Sequence, residues 1–269
     1  MHSSFAAQRA LAITELRELI FRHLDWRTLL TSAQRVCRAW NTQIQDSSFL
    51  QESLFLLPVK NTQAEKTLNP ILMEVFPAFF HQNTDVFPQH KDDELILTDM
   101  DLMKNPAKKP AYLRPEASWR RMLVQQPPAS GIAAIGASCS PFGYGGHQVV
   151  LQIKEDRKGK DGVRMGMLFE LLVLDEASGN SGLEILWWNQ GGVRKRLVWM
   201  MEREATEDPD IMVHSASSST CTDTDSDFES EQRDTIETIR GDYRSMGLQG
   251  EVLGGQWERT VETWQGMWD

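Results

Sequence analysis

Across residues 13 to 44 the apolar residues fall at helical spacing in two blocks. In the first, Ile13, Leu16, Ile20 and Leu24 recur every three or four residues with Leu19 beside them, and Glu15, Arg17, Glu18 and Arg22 fill the positions between. This pattern predicts an amphipathic helix. In the second, Leu29, Ala33, Val36, Cys37, Trp40 and Ile44 recur at steps that put all six on one stripe of a second helix, while Arg35, Arg38 and Asn41 lie off it. Two helices this short cannot close a large core of their own. Their remaining apolar surface is expected to be covered by another domain or another chain.

Beyond this module, which spans residues 10–57 after a tail at 1–9, the patterns change element by element. Asn69-Pro70 reads as a helix start that Pro77 soon ends, and residues 82–112 read as connecting segment with one strand at Leu95-Ile96-Leu97. Pro115 and Glu116 suit a first helical turn, giving a helix to about Gln125 that Pro127-Pro128 stops. Alternation around Val149 and Leu151 predicts a strand over 147–153, entered by a turn at Gly143-Tyr144-Gly145-Gly146. A loop over 154–162 follows. Met167, Leu168, Leu171 and Leu172 then give a helix over 163–174, and Asn189-Gln190-Gly191-Gly192 joins expected strands at 183–188 and 193–201 in a hairpin. Trp187 and Trp188 would point to opposite faces, one into the core and one outward. Residues 58–203 are therefore expected to form a mixed α+β domain with a small antiparallel sheet. Residues 204–235, rich in acid, Ser and Thr, are expected to be disordered, and Trp257, Trp264 and Trp268 suggest a short amphipathic helix within 236–269. The fold class expected overall is α+β.

Composition narrows the function classes. The 269 residues carry a formal charge of -10, but the stretch 204–232 holds nine Asp or Glu and no Lys or Arg, which accounts for nearly all of it. The remainder is close to neutral, so a broad basic surface for nucleic acid is not expected. No apolar run approaches the length of a membrane span, and no basic region followed by an apolar stretch and a cleavage site opens the chain, so neither membrane insertion nor secretion is expected. Cys37, Cys139 and Cys221 are too few and too scattered for a disulfide framework or a metal-ligand set, which suits a reducing compartment, cytoplasm or nucleus.

Residues Glu15-Leu16, Ile20, Leu24, Leu29-Leu30, Arg35-Val36-Cys37-Arg38 and Trp40 resemble the F-box, the helical module that docks on the Skp adaptor of cullin-RING ubiquitin ligases. Thr14 stands where most F-boxes carry proline, and Thr can cap a helix there. Ser47-Ser48-Phe49-Leu50-Gln51, Leu54-Phe55-Leu56-Leu57-Pro58, Asn69-Pro70, Phe76-Pro77, the segment from Leu113 to Val124, and Arg164-Met165-Gly166-Met167-Leu168 extend the likeness toward fungal F-box proteins, to about residue 200. The resemblance implies that Ile13, Leu16, Leu19, Ile20, Leu24, Leu29, Leu30, Val36, Cys37 and Trp40 meet a Skp-type adaptor and through it a cullin. It also implies that the rest of the chain recruits a protein target whose identity no repeat signature discloses. The implied role is a non-catalytic substrate receptor of an SCF-type ligase without a cofactor. The alternatives are an interaction or scaffold protein acting outside the ligase, and an enzyme fused to a docking hairpin.

Motifs that could support chemistry are incomplete. Asp223, Asp225 and Asp227 open like a calcium loop, but Phe228 replaces the turn glycine and Asp234 the bidentate glutamate. Gly136-Ala137-Ser138-Cys139-Ser140 lacks the second glycine of a nucleophile elbow and reads as a loop, and Gly143-Tyr144-Gly145-Gly146 lacks the Lys-Ser/Thr ending of a phosphate loop. His147 has no neighbour in sequence that completes a catalytic set. Arg120 and Arg121 read either as a solvated helix face or as contacts for an acidic partner. Thr220, Thr222, Thr224 and Ser226 each precede an acidic residue by three positions, the spacing that acidophilic kinases favour, so they are candidate phosphosites.

Overall fold

The computed structural model describes residues 9–61, 63–80, 100–140, 143–153, 161–174, 183–188, 210–218, 225–248 and 257–266. The chain forms two compact units, Met1–Lys60 and Asn61–Asp269, and the fold class is α+β.

In the first unit, α1 (Thr14–Arg22) is followed by α2 (Trp26–Thr28), a π-helical turn (Leu29–Ala33), α3 (Gln34–Val36), α4 (Arg38–Asp46) and α5 (Ser48–Ser53). Asp25 starts α2 by accepting the Thr28 amide at 2.9 Å, and the Thr28 hydroxyl donates to its other oxygen at 2.7 Å. These bonds hold the Asp25 carboxyl below its ordinary pKa. Ser47 caps α5 through the Leu50 amide. The expected single second helix is broken at Cys37, whose backbone is fully extended (φ -163°, ψ 166°). The six residues of the expected stripe therefore do not share one face. Leu29, Ala33 and Ile44 turn inward with Phe21 and Leu50, whereas Val36 and Cys37 point to solvent.

The second unit begins with β1 (Thr67–Leu68), α6 (Pro70–Val75) and a 3-10 turn (Pro77–Phe80). The expected helix start at Asn69-Pro70 is present. The Asn69 side chain accepts from the Ile71 and Leu72 amides while donating to the Leu123 carbonyl at 2.8 Å, so one buried amide caps a helix and ties it to a distant segment. Short helices α7 (Asp101–Lys104), α8 (Lys109–Tyr112) and α9 (Ser118–Arg121) follow, then β2 (Gln125–Gln126), which pairs with β1. The helix expected from Pro115 to Gln125 is only the four residues of α9. Past it the backbone turns extended because its partners lie elsewhere: Met165 N donates to Met122 O and Val124 N to Val163 O.

The main sheet has the order β5-β6-β3-β4-β7, built from β3 (Gly131–Ser140), β4 (Gly143–Ile153), β5 (Leu183–Trp187), β6 (Ile211–Ser218) and β7 (Trp257–Gly266). β3 and β6 run parallel and the other neighbours antiparallel, so the sheet is mixed, not purely antiparallel. Four sequence expectations are corrected here. The expected loop over 136–140 and the expected turn over 143–146 are the paired ends of β3 and β4, in register from Gly136↔His147 to Ser140↔Gly143. Part of the stretch expected to be disordered is β6, an interior strand between β5 and β3 with Ile211, Met212 and Val213 buried, and residues 225–235 open the long helix α11 (Asp225–Ser245). The expected C-terminal helix is instead strand β7, because β4 offers it a full antiparallel ladder from Tyr144↔Gly266 to Ile153↔Trp257. The expected strands at 95–97 and 193–201 lie outside the described residues.

Between these elements sits α10 (Met165–Leu174), the helix expected over 163–174. A Cβ on its Gly166 would stand 2.9 Å from the Arg120 carbonyl oxygen, so glycine permits the close approach of α9. Phe169 centres an aromatic cluster, stacked on Phe79 (5.9 Å, 16°) and Tyr243 (6.2 Å, 13°) and edge-on to Trp119 (5.4 Å, 65°). Trp119, Leu123 and Leu171 are buried and Met167 is half-buried. Trp187 is fully buried, stacked on Phe80 with its indole N–H donating to the Phe79 carbonyl, and Trp188 is half-buried.

Candidate functional site

The first unit presents an apolar surface that its own fold leaves open. At the cap of α1 Ile13 is 48 % exposed, on the helix itself Leu16 is 41 %, Leu19 52 % and Ile20 41 % exposed, and Val36 at the end of α3 is 59 % exposed. One face of this nine-residue helix carries three large aliphatic side chains in water, and Ile13 just before it adds a fourth. Isolated exposed leucines are ordinary on protein surfaces, but a contiguous stripe marks a surface meant to be covered.

The inward face of α1 is formed by Phe21 and, against expectation, by Arg17. Phe21 is fully buried and meets the Trp40 ring edge-on at 5.0 Å and 67°. Arg17, which the pattern assigns to the polar side, is buried. Its Nε donates to Gln43 Oε1 and its Nη1 to the Leu11 carbonyl at 3.2 Å. Gln43 Nε2 in turn donates to the Thr14 carbonyl at 2.6 Å, so this polar network joins α1 to α4. A second link runs from the Ser47 hydroxyl to Glu18, whose carboxylate also holds Arg22 at 3.0 Å; these bonds lower the Glu18 pKa, with Arg22 the larger cause.

The expected contact residues thus divide. Ile13, Leu16, Leu19, Ile20, Val36 and Cys37 are exposed, and Leu24, Leu30 and Trp40 are half-buried. Leu29 is 3 % exposed, a core residue of the module and not available to a partner, because the π-helical turn carries it inward with Ala33. Two exposed residues were not among the expected contacts. Phe49 on α5 is 46 % exposed beneath the Arg22 guanidinium, 4.2 Å from its ring centre, and Leu57 is 42 % exposed. The sequence signal for Phe49 was its place just inside a helix capped by Ser47.

Thr14 does not cap α1. Ile13 occupies the cap position in extended conformation (φ -82°, ψ 117°), with no side-chain cap bond, and Thr14 is the first helical residue. That is where proline fits best, and an extended preceding residue is what proline requires. Thr14→Pro is therefore expected to raise stability by about 0.4–1 kcal/mol through the unfolded chain, with the Thr14 carbonyl still available to Gln43. Chemical denaturation measures it, and a clear loss of stability would contradict this reading of the helix start.

In the second unit the expected motifs resolve into structural roles. Arg120 pairs with Glu170, donates to the Tyr243 hydroxyl at 2.8 Å and lies over the Trp119 ring, so it fastens α9, α10 and α11 together instead of forming a solvated face; Arg121 is exposed. Burial pushes the Tyr243 phenol up to about 12. Asp225, Asp227 and Asp234 belong to a helix, which does not wrap a cation as a loop does, and no group of three potential metal ligands occurs among the described residues. Of the candidate phosphosites, Ser226 lies in the first turn of α11, and Thr220, Thr222 and Thr224 lie outside the described residues. Among the described residues no helix is long and apolar enough to cross a membrane. No family model, curated protein or solved structure matches the chain.

Proposed function

We propose that the chain is a substrate-receptor subunit of an SCF-type ubiquitin ligase, with the first unit docking a Skp-type adaptor and through it a cullin. The observation that carries the reading is the exposed stripe of Ile13, Leu16, Leu19 and Ile20, with Val36 and Phe49 also open to solvent, on the residues whose order resembles an F-box. Covering four aliphatic side chains at half exposure removes enough apolar surface to drive association, at roughly 25 cal/mol per Å² before the costs of ordering. In this reading the chain performs no bond chemistry. It accelerates ubiquitin transfer by holding a target near the charged conjugating enzyme, an effect of effective concentration. The second unit supplies the target-facing surface, with the part-buried Arg120–Glu170 pair and the aromatic cluster tying its helices together.

The test is affinity purification of the full chain from its native cells with the proteasome inhibited. Stoichiometric adaptor together with cullin is the expected result. Adaptor without cullin would instead indicate a scaffold outside the ligase, and absence of both would end the docking proposal.

A further inference from the structure

We infer that the buried Arg17–Gln43 pair is a positioning device that sets the rotation of α1 about its own axis and so holds the apolar stripe outward. As an aid to docking this rests on the function proposed above, but the rotation itself is measurable without any partner.

The starting observation is that α1 sits in a register its own sequence does not favour. With helical residues spaced at 100°, the inward direction set by Arg17 and Phe21 lies roughly a quarter of a turn from the centre of the Ile13, Leu16, Leu19 and Ile20 stripe. Apolar burial alone would roll the stripe inward and the arginine outward. The opposite arrangement is seen, with Arg17 only 9 % exposed and its side-chain bonds going to neutral acceptors, the Gln43 amide oxygen and the Leu11 carbonyl.

A buried guanidinium without a carboxylate is a poor source of stability, since an apolar pair of similar size commonly does as well or better. It is, however, a strong source of specificity, because its bonds exist in one register only. Rolling α1 by a quarter of a turn would withdraw Arg17 and leave Gln43, 8 % exposed and joined at both ends of its amide, without its partners. The network thus penalises the rotation that the hydrophobic stripe would otherwise choose. Phe21 against Trp40 fills the space beside it and is compatible with the same register.

The experiment compares carbene labelling of α1 peptides in the full-length wild type, the double variant Arg17→Leu/Gln43→Leu, and Gln43→Glu, with thermal melting of each. Removing the network is expected to let the two registers reach comparable populations, so labelling at Leu16, Leu19 and Ile20 falls about twofold while the melting temperature is unchanged or higher. Adaptor retention falls in parallel. Gln43→Glu keeps an acceptor for Arg17 and is expected to label as wild type does. A residue that merely supports the fold predicts the reverse, lower melting with unchanged or increased labelling. Wild-type labelling in the double variant overturns the inference, and so does its failure to fold, because the inference requires that an apolar pair be tolerated. If wild-type protein retains no adaptor, the docking proposal fails while the labelling comparison still decides the register.

Discussion

Replacing Leu19 and Ile20 by Asp is expected to reduce adaptor retention by about two orders of magnitude or more while leaving the protein folded. Both side chains already stand in solvent, 52 % and 41 % exposed, so their loss removes little from the core of the first unit. Surface changes of this kind usually alter stability by within about 0.5 kcal/mol. In a closed interface the same carboxylates would be buried without partners, at a cost of several kcal/mol, and each 1.4 kcal/mol is about tenfold in affinity. Circular dichroism and thermal melting establish that the variant is folded, and calorimetry or a quantitative pull-down reads the affinity. Wild-type recovery of the adaptor by a folded double variant would remove this face of α1 from the interface.

Phe169→Ala is expected to have the largest effect on the second unit, a loss of about 3–5 kcal/mol. The ring is fully buried and is the common neighbour of Phe76, Phe79, Trp119 and Tyr243, so truncation leaves a cavity lined by four rings, of which only Phe76, Phe79 and Trp119 keep contacts with one another. Domains of this size are stable by about 5–15 kcal/mol in total, so the variant would unfold at much lower denaturant. Met167→Ala, two residues earlier on the same helix and half-buried, is the control and is expected to cost clearly less. Urea unfolding followed by tryptophan fluorescence compares the two. A cost below about 1 kcal/mol for Phe169→Ala would show that the cluster is not the organising core.

Much of the local structure was legible from residue order. The helix of α1, the Asn69-Pro70 start of α6, the helix now seen as α10 and the strand at 147–153 all follow from periodicity and capping, which act over a few residues and need no knowledge of neighbours. The expected exposure of Leu19 and Ile20 likewise came from a pattern, a stripe too large for a small module to bury. The π-helical turn and the break at Cys37 were not legible. The apolar spacing across them fits one continuous helix, and only the inward demand of Leu29 and Ile44 shows where the backbone must yield.

The sheet shows the same limit on a larger scale. β3 is rich in Gly, Ala and Ser and has no strong alternation, and β6 follows an acidic stretch, yet they pair in parallel from Ile132↔Ile211 to Cys139↔Ser218. Each strand is specified by the ladder beside it, across about eighty residues of chain, and composition records none of that. β7 took the strand form for the same reason, since hydrogen bonds to β4 outweigh the weak helical preference of a short segment. Arg17 and Arg120 are the sharpest cases. By residue type both belong at the surface, and both are drawn inward because a specific acceptor, Gln43 for one and Glu170 for the other, waits there at a position only the tertiary fold supplies. The sequence by itself determined some of the helices, α1, α6 and α10 among them, and that the first module had apolar surface to spare. Which face of α1 kept that surface, and which strands became neighbours, was decided by the tertiary structure, because long-range hydrogen bonds and buried polar partners depend on residues far apart in sequence, whereas periodicity depends only on those nearby.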